Sequence, residues 1–260
     1  MNALFQLVSY CNYRLHARHR HGFGVHSPFA FRLITNVIEN KHPYYIYKEV
    51  ESQRQKLLRD TTEIHVTDFG TRPSGTRRLC DIVRKAVKPA RQAQLIFRLA
   101  LEQKPQTIVE LGSSVGLTTA YLSKACHNGT LHTFEGSAQL IDVARSSLNA
   151  CHVGANTLFH QGNIDETLPE VLWQTDNIDV AFLDANHTLQ ATRHYFDLLV
   201  KAASPDALFI IDDIHSSLDM RQAWEYIRQH RRVRVSFDLF SLGLAYLDPQ
   251  LQKQHYILNW

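Results

Sequence analysis

The sequence predicts an α/β fold: a mostly parallel, seven-stranded sheet with helices on both faces, a C-terminal antiparallel hairpin and a mainly helical N-terminal extension. Three observations predict it. Beyond Pro89, short apolar runs alternate with amphipathic helical patterns through five successive units. These runs are apolar along their length, as in strands covered on both faces. The last two runs are joined by a link too short for a parallel crossover, so they must return as a hairpin.

Residues 1–88 form the extension and 89–260 the main domain. Between Arg14 and His26, the side chains of Arg14, Arg18, Arg20, His16, His19, His21 and His26 read as a solvated basic helix ending at Gly22 and Gly24. A surface for an acidic partner or nucleic acid is the sharper alternative. His26–Phe29, with Tyr44, Tyr45 and Tyr47, suits either a lid or core packing. Thr67–Gly75, with Gly70, Pro73 and Gly75, reads as a flexible loop. The extension as a whole is consistent with a lid, a dimer arm or a small domain, and a homodimer is one expected assembly.

The main domain follows in order. Pro89 sits where a proline opens a helix, which runs to about Gln103 with Leu95, Ile96 and Leu99 on one face. Strands are expected at Thr107–Gly112, Leu131–Gly136, Asn156–Gly162, Ile178–Asp184 and Ala207–Ile214. Helices are expected at Leu117–Cys126, stopped by Asn128-Gly129, and at Ala138–Ala150, Glu166–Trp173, Leu189–Ala202 and Asp219–His230. The intervening helices imply parallel crossovers. Val233–Phe240 and Leu242–Tyr246 make the hairpin.

A composition of 44% hydrophobic and 20% charged residues argues for a packed core and against wholesale disorder. A net charge of +3 does not argue for nucleic acid, which is not expected as a partner. Cys11, Cys80, Cys126 and Cys151 form no C-x-x-C pair and read as free thiols. The N-terminus lacks the charge order and apolar run of a signal peptide, and no stretch approaches a membrane span, so a soluble cytoplasmic protein is expected.

The chemistry concentrates at two places. The first is Glu110-Leu111-Gly112-Ser113-Ser114-Val115-Gly116-Leu117-Thr118, between a strand and a helix. Gly112 permits a sharp turn and Gly116 a close backbone approach. The helix-start N–H groups and the hydroxyls of Ser113, Ser114 and Thr118 are donors suited to an anionic group. Glu110 is positioned for an ammonium group through water. Glu135 ends the next strand, where an acid holds ribose hydroxyls. A glycine pair alone means only a tight turn; the flanking strand and helix together with Glu135 make it a nucleotide turn. A dinucleotide fingerprint needs glycines where Ser114 and Leu117 stand, which disfavours a pyrophosphate and an NAD-dependent oxidoreductase. An adenosyl ligand with an amino-acid tail has no such need.

The second place is the rim formed by Asp184-Ala185-Asn186-His187 and Asp212-Asp213-Ile214-His215. Ligands in such sheets bind beyond the carboxyl ends of the strands. Three carboxylates and two imidazoles together are costly unless paired or metal-bound, and carboxylates prefer Mg²⁺, Ca²⁺ or Mn²⁺. His187 is a candidate general base, since histidine is the side chain whose ordinary ionisation range suits that role; the plainer alternative is a hydrogen bond to Asp184. Asp213 could simply cap a helix.

ELGSSVGLTTAYLSKA followed by LHTFEGS resembles motif I and the acidic loop of Rossmann-like, class I S-adenosylmethionine-dependent methyltransferases, in particular the small-molecule O-methyltransferases of the catechol and caffeoyl-CoA type. The resemblance covers roughly residues 90–247, and the terminal hairpin agrees with it. His26–Phe29 and DDIH are also similar to segments of bacterial methyltransferases of unspecified substrate. The resemblance implies S-adenosylmethionine at Glu110, Gly112, Ser113, Ser114, Gly116, Thr118, Glu135, Gly136 and Asp184. It implies that Gly162, Asn163, Ile164 and Asp165 cover the adenine. It implies a small hydroxylated, phenolic or catechol-like acceptor. It further implies a divalent metal on Asp184, Asp212 and Asp213, with Asp213 standing where the family has Asn and His187 where it has a catalytic Lys. Asp184 and His187 are then the catalytic candidates. A non-catalytic, nucleic-acid-associated module on the same fold is the remaining alternative.

Overall fold

The computed structural model describes residues 3–70 and 73–260. In chain order the elements are α1 (Ala3–His16), α2 (Pro28–Leu33, continued by a π-helical turn at Ile34–Ile38), α3 (Tyr45–Leu57), β1 (Glu63–Val66), β2 (Gly75–Arg78), α4 (Leu79–Ala86), α5 (Ala90–Gln103) and β3 (Thr107–Leu111). They continue as α6 (Leu117–Ala125), β4 (Thr130–Glu135), α7 (Ala138–Ala150), β5 (Thr157–Gln161), α8 (Ile164–Leu172), β6 (Ile178–Leu183) and α9 (Leu189–Ala202). The chain closes with β7 (Ala203–Asp212), α10 (Leu218–Gln229), β8 (Val235–Asp238), β9 (Leu242–Tyr246) and β10 (Gln254–Ile257). Helix starts follow local chemistry. Ser27 caps α2 ahead of Pro28, its Oγ accepting from Ala30 N at 3.3 Å. Thr188 and Ser217 cap α9 and α10 in the same way.

Two compact units are present, one of residues up to Lys41 with Asn177–Trp260 and one of His42–Asp176. In the His42–Asp176 unit, β3, β4 and β5 lie side by side and parallel. Tyr44 and Tyr47, both half-buried, pack largely edge-on against the buried rings of Phe97 on α5 and Tyr121 on α6. Tyr45 is almost fully exposed. In the other unit the strand order is β10-β8-β9-β7-β6. There β6 and β7 are parallel, β9 is antiparallel to both β7 and β8, and β10 is parallel to β8. This is the mostly parallel α/β architecture with its antiparallel C-terminal hairpin.

The structure corrects four expectations. Eight strands, not seven, follow residue 88, because Gln254–Ile257 adds beside β8; four residues of which only Tyr256 is buried carry too little apolar pattern to announce a strand. The first helix ends at His16, not at the glycines. Arg18 leaves the helix to bridge the C-terminal segment, its N–H donating to Ile257 O at 2.8 Å and its carbonyl accepting from Asn259 N at 3.0 Å. The extension, expected to be mainly helical, also contains an antiparallel hairpin, β1 with β2. The expected flexible loop is the turn of that hairpin; its Thr71 and Arg72 lie outside the described residues. Finally, β7 begins at Ala203 rather than Ala207, through an irregular register beside Ile178 that accommodates Pro205.

All four cysteines are free, and three of them are buried. Among the described residues, no helix is long and apolar enough to cross a membrane.

His160 on β5, half-buried, and His255 on β10, whose ring is drawn inward with Nδ1 2.9 Å from Ser236 Oγ, have pKa values depressed to about 4, chiefly by desolvation. His160 also stacks against His132, with Nδ1 of one ring 3.0 Å from Nε2 of the other, an arrangement that two imidazolium ions could not share. An unfolded chain protonates these rings near pH ~6.5, so between that value and about 4 the unfolded state binds more protons. Their stability contribution is therefore complete above pH ~6.5 and declines on acidification. Thermal unfolding followed by circular dichroism between pH 7 and pH 4 should show a steeper loss of Tm in the wild type than in a His160→Gln/His255→Gln variant. Parallel slopes would overturn this assignment.

Candidate functional site

In the His42–Asp176 unit, chemistry gathers at the carboxyl ends of β3, β4 and β5. The turn after β3 reverses sharply, with φ of 97° at Gly112, 47° at Ser114 and 81° at Gly116. It is pinned to β4. The N–H groups of Gly112 and Ser113 both donate to Phe134 O, at 3.0 and 3.3 Å. Ser114 N donates to Glu135 Oε2 at 2.9 Å, while Glu135 Oε1 accepts from Ser137 N at 3.0 Å. One carboxylate thus holds two strand-end turns. Burial raises its pKa, and those backbone donors oppose the rise. The loop after β5 joins through Gly162 N, which donates to Glu135 O at 3.1 Å.

The predicted cofactor residues divide by role. Ser113 is buried, and its Oγ has no hydrogen-bond partner among the described residues. Ser114, Glu135 and Gly136 are partly open, whereas Thr118 is buried in the first turn of α6. Several N–H groups that the sequence offered to an anion are already engaged, those of Gly112 and Ser113 by Phe134, that of Ser114 by Glu135 and that of Gly116 by Ser113 O. Glu110 is fully enclosed, and its Oε2 accepts from Thr133 Oγ1 at 2.7 Å. Asn163 caps α8, Ile164 is buried and Asp165 is exposed.

In the other unit, Leu183 pairs with Ile211 in parallel register, so Asp184 and Asp212 follow at neighbouring strand ends. The left-handed backbone of Asn186, φ 47°, turns the chain back, and its Nδ2 donates to Tyr195 Oη at 2.7 Å. His187 Nε2 thereby comes 3.4 Å from Asp184 Oδ1. One ligand atom from each of Asp184, His187 and Asp212 falls within 4.8 Å of the others. Asp212 is fully buried. Two carboxylates and an imidazole form a donor set that fits a divalent cation with coordination positions left open.

Asp213 and His215 are not in that group. Asp213 has φ 54° and donates its N–H to Ser241 O at 2.7 Å. His215 Nε2 lies 2.7 Å from Asp238 Oδ2, and its ring stacks on Phe240. Sequence reasoning missed Asp238, because nothing local connects it with a histidine 23 residues away. It also missed Ser137, whose backbone N–H serves Glu135 and whose hydroxyl reaches His65 O instead of capping α7.

Residues 109–214 match the family model of a methyltransferase domain. The match includes the turn after β3, Glu135 and the rim cluster. That stretch is similar to a methyltransferase domain. Solved structures agree in fold. A candidate O-methyltransferase from Klebsiella pneumoniae is 17% identical, with a TM-score of 0.58, over 89% of this chain and 100% of that one. The O-methyltransferase TomG from Streptomyces achromogenes, in complex with SAM, is 16% identical, with a TM-score of 0.56, over 79% of this chain and 91% of that one. An O-methyltransferase from Bacillus cereus, in complex with SAH, is 19% identical, with a TM-score of 0.53, over 83% and 96%. No curated protein sequence matches the chain.

Gly116 offers a direct structural test of the turn after β3. A Cβ there would stand 2.7 Å from Ala144 Cα and 2.9 Å from its carbonyl oxygen, at a φ of 81°. Neither backbone can yield without moving α6 or α7. Gly116→Ala should lower unfolding free energy in urea by about 2 kcal/mol, the scale of overpacking and strained backbone. Gly75→Ala, where an added methyl meets nothing within 4 Å, should change it by under about 0.5 kcal/mol. Equal effects at the two sites would contradict this account.

Proposed function

We propose that this protein is an S-adenosylmethionine-dependent O-methyltransferase acting on a small hydroxylated, phenolic or catechol-like acceptor with divalent-metal assistance. The observation that carries the reading is the convergence of Asp184, His187 and Asp212 within 4.8 Å, inside a matched methyltransferase domain. The O-methyltransferase neighbours bound to SAM and SAH support the cofactor. The proposed division of labour follows the sequence, with residues 89–260 carrying the transferase and 1–88 an extension.

Bound S-adenosylmethionine supplies a methyl group already activated on its sulfonium. The chain has to hold it, align the acceptor and dispose of the acceptor's proton. Glu135 is the acceptor for ribose hydroxyls, with its carboxylate oriented beforehand by Ser114 N and Ser137 N. The orphaned Ser113 hydroxyl at the turn is a polar contact for the amino-acid tail, and Gly162–Asp165 cover the base.

A phenolic hydroxyl ionises near pH ~10, so its proton must be removed with help. Asp184, His187 and Asp212 would hold a divalent cation, which would stabilise the developing oxyanion as a Lewis acid. Without a cation, Asp184 orients the His187 imidazole, and His187 takes the proton as general base. The NAD-dependent alternative gains nothing, since Ser114 and Leu117 still break the dinucleotide fingerprint.

Calorimetric titration should give 1:1 binding of S-adenosylhomocysteine and no binding of NAD. Methylation of a catechol panel should fall at least about tenfold after exhaustive chelation and return with Mg²⁺ or Mn²⁺. Activity unchanged by metal removal would eliminate the cation and leave His187 as base. His187→Gln should then depress turnover far more than S-adenosylhomocysteine affinity, and equal losses would make the residue structural.

A further inference from the structure

The hairpin of β1 and β2 lies in the same unit as the turn after β3, and its placement is specific. Ser137 Oγ donates to His65 O at 3.2 Å, and His65 N donates to Gln139 Oε1. Both contacts join the hairpin to the segment that directly follows Glu135. The turn is internally braced. Asp68 N donates to Ser74 Oγ at 3.0 Å, Gly70 N donates to Asp68 Oδ1 at 2.9 Å, and Arg77 lies 3.9 Å from Asp68 Oδ2.

This bracing presents Phe69. A Cβ built on Gly136 would stand 2.7 Å from Phe69 Cδ2 and 3.1 Å from Cε2, so the ring rests against bare backbone next to Glu135. Any side chain at 136 would displace it. Yet Phe69 remains 53% exposed. Its ring is thus fixed along one edge and lacks a cover on the rest, beside a carboxylate suited to ribose.

We propose that Phe69 and Asp68 complete the nucleoside half of the site begun by Glu135, with the Phe69 ring packing on the adenosyl group and Asp68 offering a second acceptor to the ribose diol. The inference rests on the S-adenosylmethionine reading above. The ligand class is a nucleoside with an unmodified vicinal diol. Two O–H donors answer two carboxylates, whereas a phosphate on either hydroxyl would meet both with like charge. The charge of Asp68 is among the influences raising the pKa of Glu135, which is consistent with the two groups sharing one corner. The arrangement also accounts for glycine at 136: close approach of the ring requires it.

The test uses the full-length protein and S-adenosylhomocysteine as probe. Phe69→Ala should weaken binding about tenfold, the scale of one lost stacking contact on a base, while the unfolding midpoint of the ligand-free protein stays unchanged. Asp68→Asn should weaken binding several-fold. Phe69→Trp should bind nearly as the wild type does, and its fluorescence should change on titration and saturate at the calorimetric Kd. If the wild type binds while F69A and D68N bind equally tightly and F69W emission is indifferent to ligand, the role of the hairpin is refuted and the cofactor reading stands. If the wild type binds no adenosyl ligand, both fall together.

Discussion

A single half-buried carboxylate organises one end of the His42–Asp176 unit. Glu135 accepts from Ser114 N and from Ser137 N, so the turn after β3 and the turn after β4 are fixed relative to each other by one planar group. Burying an ionised carboxylate is expensive unless hydrogen bonds replace its water. Here the replacement comes from backbone amides, which cannot rotate away. The energetic requirement of one side chain therefore becomes a geometric constraint on two loops. A third is added by Gly162 N on the Glu135 carbonyl. What the residue costs in desolvation it returns as preorganisation, because a ligand meeting Glu135 finds the carboxylate already oriented.

The other unit reaches a similar result through register. Parallel pairing of Leu183 with Ile211 obliges Asp184 and Asp212 to emerge side by side. The left-handed residues Asn186, Asp213 and Phe240 then direct each following segment. Non-glycine residues adopt such backbone at a cost, and their concentration near strand ends is the pattern expected where turns are shaped by function as well as by chain reversal. The outcome is a sorting of ionisable groups. Asp184, His187 and Asp212 converge, while His215 is drawn off by Asp238 and Phe240.

Much of this was legible in the sequence where one pattern repeats over a whole element. The strands from β3 to β6 and the helices α7 and α9 lie within a few residues of their expected positions, because continuous apolar runs and capping residues are local signals. Asp184, His187, Asp212, Asp213 and His215 were readable as one rim because strand-end positions follow from strand boundaries, but the metal set expected there was Asp184, Asp212 and Asp213, and His187 stands in the converging trio in place of Asp213. What escaped was short or non-local. β1, β2 and β10 are four-residue strands carrying charged or polar side chains, and their existence depends on partners elsewhere in the chain. The Asp238–His215 pair and the Phe69–Gly136 contact are tertiary facts with no periodicity behind them. Glu110 shows the opposite failure. A motif position suggested an accessible group, and the strand that carries it buries it completely against Thr133.

The two departures from the resembled family pattern acquire separate physical meanings. At 213 an aspartate stands where an asparagine is expected, and the backbone there is left-handed, with φ 54°. Asparagine and aspartate are the side chains that tolerate this region best, so the exchange preserves the turn while adding a charge outside the converging trio. At 187 the change is chemical rather than conformational. A lysine would present a compact, permanently charged ammonium group to Asp184 near neutral pH. Histidine presents an imidazole that can remain neutral, donate through one nitrogen and accept or ligate through the other. The first substitution leaves the rim's geometry intact. The second alters what the rim does with a proton or a cation, so the distinctive chemistry of this protein is to be sought at His187.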